Sequence, residues 1–373
     1  MTYAAITGWG ACMPPAVLTN HDLSTFLDTT DEWITTRTGM KERRVSHVPA
    51  TQMATTAARR ALACAGLASA DVELIVYGSC SNDEQVPNSA SGVQAALGAH
   101  RAAAMDLNTA CTSFLYGLST ATALIRTGVV RNAVVIGVEL ITPYMDWDNR
   151  NVAVLFGDGC AAVVLQATAD AQGVLGEQLG CAADARESLR VRGMGCAYAN
   201  RCVTLGDTLW DFDGQEIFRR AVQGMLQASL AVLERCGVAP GDIDLVIPHQ
   251  ANLRIIEAVV TRTGIPMDRV MLTVHRYGNM SAATVPVALT EAVAEGRVKP
   301  GSLILMPAFG AGLTWCAHLV RWGSRVTPVG TSDAALAPCH NTALELVNAI
   351  RAEKAGARIR STAGLHAPQL TVA

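Results

Sequence analysis

The sequence predicts an α/β fold built from two similar halves. AGLASADVELIV, which begins at Ala65, aligns without gaps with CGVAPGDIDLVI, which begins at Cys236. A second pair follows in the same order and with nearly the same separation along the chain: LSTATALIRTGVVRNAVVIG from Leu118 and LTEAVAEGRVKPGSLILM from Leu289. Helical stretches also alternate with short aliphatic runs, which is typical of mostly parallel sheets with helices on both faces. Together these observations indicate a duplicated α/β architecture with two mostly parallel sheets.

Each repeated block carries the same local signals in the same order. Helical stretches rich in alanine and leucine, Met53–Cys64 and Phe218–Arg235, precede the first pair of blocks. A glycine then ends the helix, and a short turn leads into a buried strand. We therefore expect halves at about residues 1–170 and 171–322, with sites near strand ends where the halves meet.

The chain continues beyond this duplication. The segment GSRVTPVGTSDAALAPCH after Trp322 is rich in small, polar and proline residues, which predicts a linker. NTALELVNAIRAEKAGARI follows and predicts one amphipathic helix with Asn341 as its N-cap. Its apolar positions are Ala343, Leu344, Leu346, Val347 and Ile350. Residues 323–373 are thus expected to form a C-terminal extension.

The composition excludes several classes of function. Half of the 373 residues are hydrophobic and 16% are charged, which is typical of a compact enzyme. A net charge of −3 gives no electrostatic footprint for nucleic acid. No apolar run is long enough for a membrane span and the first residues do not resemble a signal peptide, so the cytoplasm is expected. The 11 cysteines include no Cys-x-x-Cys pair, so most should be small buried residues.

Cys111 is the candidate nucleophile. It lies in DLNTACTSFLYGL, between an apolar-to-polar switch and a helical pattern of small residues. A cysteine that begins a helix has its thiolate favoured by the helix dipole and by free backbone N–H groups, which would lower the thiol pKa. From this local pattern alone, a small core cysteine is an equally good interpretation.

Two polar residues of the second half are candidate partners. His249 ends the apolar strand in DLVIPHQANLRI, and Asn279 precedes a helix start in YGNMSAATVPVAL. A lone histidine at such a strand end is more often structural. The duplication, however, predicts that these loops converge with the loop of Cys111, giving a nucleophile and an oxyanion-stabilising pair.

At these segments the chain resembles the β-ketoacyl-acyl carrier protein synthase III family of thiolase-like condensing enzymes. The resemblance rests on TACTSFLYGL, PHQANLRI, YGNMSAATVP and AFGAGLTW, and it runs from the N-terminus to Trp322. It implies that Cys111 takes an acyl group from acyl-coenzyme A. His249 and Asn279 would then assist decarboxylation of malonyl-acyl carrier protein by donating hydrogen bonds to the thioester oxygen. The backbone N–H groups of Cys111 and Ala311 would form the second oxyanion hole, and no metal or redox cofactor would take part.

The resemblance also implies substrate contacts. Trp33, Arg37 and Arg150 would bind the coenzyme A nucleotide, because an indole face and guanidinium groups suit a purine and phosphates. The pantetheine arm and the acyl tunnel would contact four other residues: Asn252, Phe309, Phe212 and Gly214. Arg219 and Arg254 would dock the acidic carrier protein, although solvated helix charges are nearly as good an interpretation. Members of the family are expected to be homodimers.

Two departures from the family pattern concern the substrate. Thr109, Thr112 and Ser113 surround the nucleophile where smaller residues are common, and Val86 stands where some members have an aromatic residue that closes the partner's acyl pocket. A primer larger than acetyl is therefore expected. Three functions remain open: initiation of fatty acid synthesis, a related condensing or acyl-transferring enzyme of secondary metabolism, and a non-catalytic acyl-binding or interaction scaffold.

Overall fold

The computed structural model describes residues 2–198 and 208–363, with side chains as far as residue 356. The first half contains strands β1 (Tyr3–Cys12), β2 (Ala16–Thr19), β3 (Glu42–Val45), β4 (Leu74–Gly78), β5 (Ala103–Leu107), β6 (Asn132–Glu139) and β7 (Gly159–Thr168). Its helices are α1 (Asn20–Ser24), α2 (Asp31–Thr38), α3 (Ala50–Ala65), α4 (Ser89–Leu97), α5 (Ser113–Arg126) and α6 (Arg150–Ala153).

The second half and the extension follow. Their strands are β8 (Gly173–Cys181), β9 (Leu189–Arg192), β10 (Leu209–Phe212), β11 (Leu245–Val246), β12 (Leu303–Gly310) and β13 (Thr314–Arg321). Their helices are α7 (Gly214–Cys236), α8 (Leu253–Thr263), α9 (Val274–Tyr277), α10 (Thr284–Ala294) and α11 (Ala343–Ala363). The predicted boundary near residue 170 falls in the short connection between β7 and β8.

The strand register shows the duplication. One sheet has the order β1-β7-β6-β4-β5 and the other the order β8-β13-β12-β11. Ile75 pairs with Val134 in the first sheet, and Val246 pairs with Leu305 in the second, so both partners shift along the chain by the separation between the repeated blocks. A parallel bridge from Val246 to Val270 stands where β5 lies in the first sheet. The duplicated α/β fold is thus confirmed.

The prediction that the sheets are mostly parallel is wrong. β1 with β7 and β7 with β6 run antiparallel, as do β8 with β13 and β13 with β12; β6–β4, β4–β5 and β12–β11 are parallel. The reason is visible between β12 and β13, which are joined by the short turn at Ala311–Leu313, and a connection of that length forces antiparallel neighbours. Helix–strand alternation does not reveal such connections.

The core is layered. Helices α5 and α10 lie between the two sheets, and their apolar side chains share one cluster with residues of β4, β6, β11 and β12. Helices α3 and α4 cover the outer face of the first sheet, and α7 and α8 cover the outer face of the second. The amino termini of α5 and α10, both central, therefore meet at the junction between the halves. Within the described part of the chain, no helix is long and apolar enough to cross a membrane.

The extension packs back onto the first half. The linker is held by Arg325 Nη1, which donates to Cys64 O (2.8 Å), and by Arg60 Nη2, which donates to Ala334 O (2.8 Å). The five apolar positions of α11 are buried or half-buried, which confirms the amphipathic helix. Its predicted N-cap at Asn341 is wrong, because Thr342 forms the reciprocal pair of capping bonds with Glu345.

Candidate active site

One cavity of about 1480 Å³ opens at the junction between the halves. Cys111 from the first half lines it together with His249 and Asn279 from the second, and Trp33 lies on its wall near the surface. The three candidate catalytic side chains are therefore brought together as the duplication predicted.

Cys111 lies in a 3₁₀ turn, Ala110–Thr112, that leads directly into α5. Ala110 has a positive φ of 52°, and its N–H donates to Asn108 Oδ1 (3.1 Å) while its carbonyl accepts from Ser113 Oγ (2.7 Å). The end of β12 closes over this turn. A Cβ on Gly310 would lie 2.9 Å from Cys111 N, so only glycine permits the approach.

The electrostatics of Cys111 differ from the expectation. The thiol pKa is raised to about 12, chiefly because burial disfavours the thiolate and because Glu139 is negatively charged. Hydrogen bonds from the Ser281 side chain and from the backbone N–H groups of Cys111 and Ala311 act in the opposite direction but are outweighed. The prediction of a lowered thiol pKa is therefore wrong, and the environment of Cys111 favours the thiol over the thiolate.

Asn279 is held in a turn of the same kind. Its Oδ1 accepts from the Ser281 N–H (2.8 Å), and Ser281 has a positive φ of 46°. The backbone of Asn279 bonds to Leu155 O (2.9 Å) and Gly157 N (3.1 Å), which anchors it to the first half. Because Oδ1 faces a backbone N–H, the Nδ2 group is left as a donor for the cavity.

His249 follows β11 and is 2% exposed. Its backbone N–H donates to Pro307 O (2.9 Å), and its imidazole Nδ1 lies 2.6 Å from Thr284 Oγ1. Burial lowers the pKa of His249 to about 3, so the imidazole is neutral at physiological pH. Thr284 Oγ1 also lies 2.9 Å from Ser281 O. The single hydroxyl proton of Thr284 thus decides the tautomer: Nε2 is a donor when that proton points to Nδ1.

Comparisons with known proteins agree with this geometry. The family models described as 3-oxoacyl-[acyl-carrier-protein (ACP)] synthase III and its C-terminal part match residues 105–183 and 233–322. A Vibrio cholerae protein named beta-ketoacyl-[acyl-carrier-protein] synthase III 2 is 53% identical over 346 residues, covering 93% of this chain and 96% of its own. The chain belongs to the β-ketoacyl-acyl carrier protein synthase III family. It is accordingly an acyltransferase of the condensing type, as predicted.

Two other family members align over less of the chain. A synthase III from Roseiflexus sp. is 43% identical and covers 86% of this chain and 98% of its own. The crystal structure of the Aquifex aeolicus synthase III has a TM-score of 0.80 and 42% identity, and it matches 86% of this chain and all of its own. The wider coverage by the Vibrio cholerae synthase means that at least about half of the 323–373 extension lies within its matched region. The extension is thus shared by part of this synthase III family.

The residues predicted to bind coenzyme A form a cluster at the cavity mouth. The guanidinium of Arg37 lies 4.5 Å from the Trp33 ring centroid, and that of Arg150 lies 5.0 Å from it. Arg150 also pairs with Asp28 at 3.3 Å. Both guanidinium groups thus contact the indole already, and a purine that stacks there must displace one of them.

The other predicted contacts fall into two groups. Phe309, Phe212, Gly214 and Asn252 line the cavity. Asn252, however, is engaged within the protein, because Oδ1 caps α8 at Arg254 N (2.9 Å) and Nδ2 donates to Arg37 O (3.1 Å). Val86 is 87% exposed and does not line the cavity of its own chain.

The two candidate docking residues are both exposed on helices near the cavity. Arg219 forms an ion pair with Glu216 at 2.6 Å, which partly neutralises it. Arg254 lies in the first turn of α8.

Three residues near the site were missed from the sequence: Glu139, Ser281 and Thr284. Glu139 had a signal, because it is a lone carboxylate that ends the apolar strand NAVVIGVE. A different signal was available for Ser281 and Thr284. The alignment of the repeated blocks places them at the positions of Ala110 and Ser113, and so in the equivalent turn.

Proposed function

We propose that this synthase III condenses an acyl-coenzyme A primer with malonyl-acyl carrier protein by decarboxylative Claisen chemistry, through an acyl group carried on Cys111. This reaction would initiate fatty acid synthesis. The observation that carries the proposal is the convergence of Cys111, His249 and Asn279 on one cavity, although they come from different halves of the chain. A non-catalytic scaffold would not need these three polar side chains together.

In the first half-reaction, the Cys111 sulfur attacks the thioester carbon of the primer. Negative charge then develops on the thioester oxygen, and backbone N–H groups are the usual donors for such an oxyanion. Hydrogen bonds from the N–H groups of Cys111 and Ala311 act to lower the pKa of the Cys111 thiol, which supports both groups as these donors. An acyl group bonded to that sulfur would therefore have its carbonyl oxygen beside both donors.

In the second half-reaction, malonyl thioester loses carbon dioxide and its carbanion attacks the acyl-cysteine. Decarboxylation builds negative charge on the malonyl thioester oxygen, so donors at that oxygen lower the barrier. Asn279 Nδ2 is free to donate, and neutral His249 donates from Nε2 when Thr284 directs its proton to Nδ1. No resident metal or redox cofactor is needed for these steps.

The substrate contacts extend the proposal to the cavity mouth. Trp33, Arg37 and Arg150 would bind the nucleotide of coenzyme A, and Phe309 and Phe212 would flank the pantetheine and acyl chain. Asn252 would reach pantetheine only by exchanging its bond to Arg37 O. Truncation of Trp33 to alanine should raise KM for the coenzyme A thioester about fivefold, since a stacked aromatic pair contributes about 1 kcal/mol.

The carrier protein, the oligomer and the location complete the proposal. Exposed Arg254 is the better docking candidate, because Arg219 is paired with Glu216. Val86 is exposed in a single chain, which suits a position that a second copy covers in a homodimer, where the small side chain would leave room for a primer longer than acetyl. We place the reaction in the cytoplasm.

A second candidate is the priming step of a secondary-metabolite pathway. The crystal structure described as the priming β-ketosynthase of the R1128 polyketide pathway has a TM-score of 0.81 and 32% identity, and it matches 86% of this chain. The same catalytic residues would serve either pathway. The difference would lie in the acyl group that Cys111 accepts.

The decisive experiment offers a panel of coenzyme A thioesters, including acetyl, butanoyl, octanoyl and aryl groups, to the purified protein. Mass spectrometry should find one acyl group on the peptide that contains Cys111, and addition of malonyl-acyl carrier protein should release a product two carbons longer. If no thioester acylates Cys111, the proposal fails. If Cys111 accepts and extends only aryl or other unusual acyl groups, the second candidate replaces it.

A further inference from the structure

Helix α11 of the C-terminal extension carries a lysine that bonds to two other segments of the chain. Lys354 Nζ donates to Met145 O at 2.9 Å and to Thr208 Oγ1 at 2.8 Å. Met145 follows the turn Thr142–Tyr144, and Thr208 directly precedes β10. Both acceptor residues are fully buried, so water cannot easily replace a donor that they lose. The ammonium group therefore joins the extension to two segments that are far apart in the sequence.

The packing of α11 determines where Lys354 lies. Val347, Arg351 and Lys354 share one face of the helix, because they are spaced by four and three residues. Val347 is fully buried. The Arg351 guanidinium lies 4.4 Å from the Phe26 ring centroid and pairs with Asp148 at 3.4 Å. An apolar contact and a charged contact thus hold the helix in the turns that precede Lys354.

Thr208 connects Lys354 to aromatic residues of the cavity. Its hydroxyl accepts from Lys354 and gives its one proton to Tyr144 O at 2.6 Å. Trp210 Nε1 donates to the same carbonyl at 2.8 Å, and the Trp210 ring lies 5.0 Å from the ring of Phe156, centroid to centroid. Tyr144, Phe156 and Trp210 all line the cavity. We call these three residues the aromatic wall.

The aromatic wall begins beside the catalytic residues. The backbone of Phe156 forms a parallel bridge with that of Asn279, and Asn279 lines the same cavity as Cys111. Trp33, in contrast, lies near the surface. An acyl chain bonded to Cys111 would therefore extend along the wall, and the wall would limit its length. An apolar pocket discriminates between chains that differ by a methylene group only while its surface stays in place.

We propose that Lys354 is a positioning residue for primer selection, because it fixes the aromatic wall through Thr208 and Met145. The proposal rests on the proposed function, in which Cys111 carries the primer. Without the ammonium group, two buried acceptors lose a donor, and α11 no longer joins the segment of Tyr144 to the start of β10. The extension thus acts on the site, although none of its described residues lines the cavity.

The rival interpretation is that Lys354 only stabilises the fold. Arg351 offers the comparison, since it lies on the same face of α11 and holds the helix through Phe26 and the exposed carboxylate of Asp148. Neither partner belongs to the aromatic wall. Loss of Arg351 should therefore weaken the packing of the helix without moving the wall, whereas loss of Lys354 should do both.

The test measures primer selection in Lys354→Met, which keeps the apolar stem and removes the ammonium group. Mass spectrometry follows acylation of Cys111 by the straight-chain coenzyme A thioester that the wild type prefers and by the thioester two carbons longer. The ratio of the two rates should fall about fivefold, because a displaced wall accepts the longer chain. KM for malonyl-acyl carrier protein should stay unchanged. Lys354→Arg, which can donate to both acceptors, should recover most of the ratio.

Two further variants separate positioning from stability. Thr208→Val removes the hydroxyl between Lys354 and Tyr144 and should also lower the ratio. The double variant with Lys354→Met should lower it no further than the stronger single variant, because both changes break one link. Arg351→Met should lower the melting temperature and leave the ratio at the wild-type value.

Three outcomes overturn the proposal. Lys354→Met keeps the wild-type ratio, or Arg351→Met lowers the ratio equally, or the double variant shows the sum of the two separate effects. If Lys354→Met does not fold, Thr208→Val and Arg351→Met decide by the same ratio. If the wild type never acylates Cys111, the proposed function fails together with this proposal. If the wild type acylates Cys111 selectively and Lys354→Met is equally selective, only the role of Lys354 fails.

Discussion

Two turns lie at the junction between the halves, at residues 108–113 and 279–284. They share one backbone conformation but carry different side chains. In the first half Asn108 Oδ1 accepts from Ala110 N (3.1 Å), and in the second Asn279 Oδ1 accepts from Ser281 N (2.8 Å). The residues with positive φ, 52° and 46°, are also equivalent. Each turn then starts a helix whose first hydroxyl, of Ser113 or Thr284, lies within hydrogen-bonding distance of the carbonyl at the positive-φ residue, at 2.7 Å and 2.9 Å.

The differences lie in the side chains mounted on this frame. Cys111 in the first turn corresponds to Ala282 in the second, and Ala110 corresponds to Ser281. The ends of the neighbouring strands differ as well, because Glu139 corresponds to Gly310. The first turn therefore carries the proposed nucleophile, and the second carries the proposed donor, Asn279 Nδ2. The two copies of the turn thus keep the same backbone, and a few side-chain differences give them different proposed roles in the reaction.

Replacing the nucleophile should have the largest effect on this division. Cys111→Ala should abolish the acyl-enzyme and slow condensation on the order of 10⁴-fold or more, because no other group can carry the acyl chain. Release of carbon dioxide from malonyl-acyl carrier protein should persist, since the second turn is intact. Mass spectrometry of the protein and of the carrier measures both. Cys80→Ala, which removes another cavity thiol, should still become acylated; loss of the adduct there would contradict the assignment to Cys111.

Changing the donor in the second turn should have the next largest effect. Asn279→Asp keeps the acceptor for Ser281 N but replaces the Nδ2 donor with negative charge, so condensation should slow by about 10²–10³-fold. Acylation of Cys111 should change much less. The equivalent substitution in the first turn, Asn108→Asp, is the control and should affect decarboxylation little. Equal losses for both variants would mean that the turns are not divided by function.

Thr284 and Ser113 allow a finer comparison. Thr284→Val removes the partner of His249 Nδ1 and should slow decarboxylation about tenfold, equivalent to a net hydrogen bond of about 1.4 kcal/mol. Nitrogen-15 NMR of labelled histidine should report a change in the His249 tautomer. Thr284→Ser should restore the wild-type signal, and Ser113→Ala should leave it in place. An unchanged tautomer in Thr284→Val would disconnect Thr284 from the donor role.

The smallest effect should be that of pH on the second turn. His249 has a pKa lowered from 6.5 to about 3, so it remains neutral between pH 8 and pH 5 and becomes protonated only near pH 3. Decarboxylation by Cys111→Ala, in which no acylation interferes, should therefore show no acidic limb from His249 above pH 5. A fall in rate with a midpoint near pH 6.5 that disappears in His249→Asn would contradict this prediction.

Much of the fold and the centre of the site followed from the sequence. The separation between the repeated blocks is also the separation between equivalent strand pairs, which is why Cys111, His249 and Asn279 were expected to converge and do line one cavity. The helix ends at glycines and the amphipathic positions of α11 could also be predicted, because each depends on residues that are close together in the chain. The direction of the strands could not be predicted, because it depends on the lengths of connections that the sequence pattern did not reveal.

The sequence by itself determined the duplication, the position of the proposed nucleophile at a helix start and the two halves whose residues line the cavity. Only the tertiary structure decided that the Cys111 thiol has a pKa of about 12 instead of a lowered one, and that Glu139 and Ser281 lie beside it. Glu139 and Ser281 are far apart in the chain, and their contact exists only because α5 and α10 pack between the two sheets. A pKa depends on burial and on such distances, and no local pattern of residues contains either quantity.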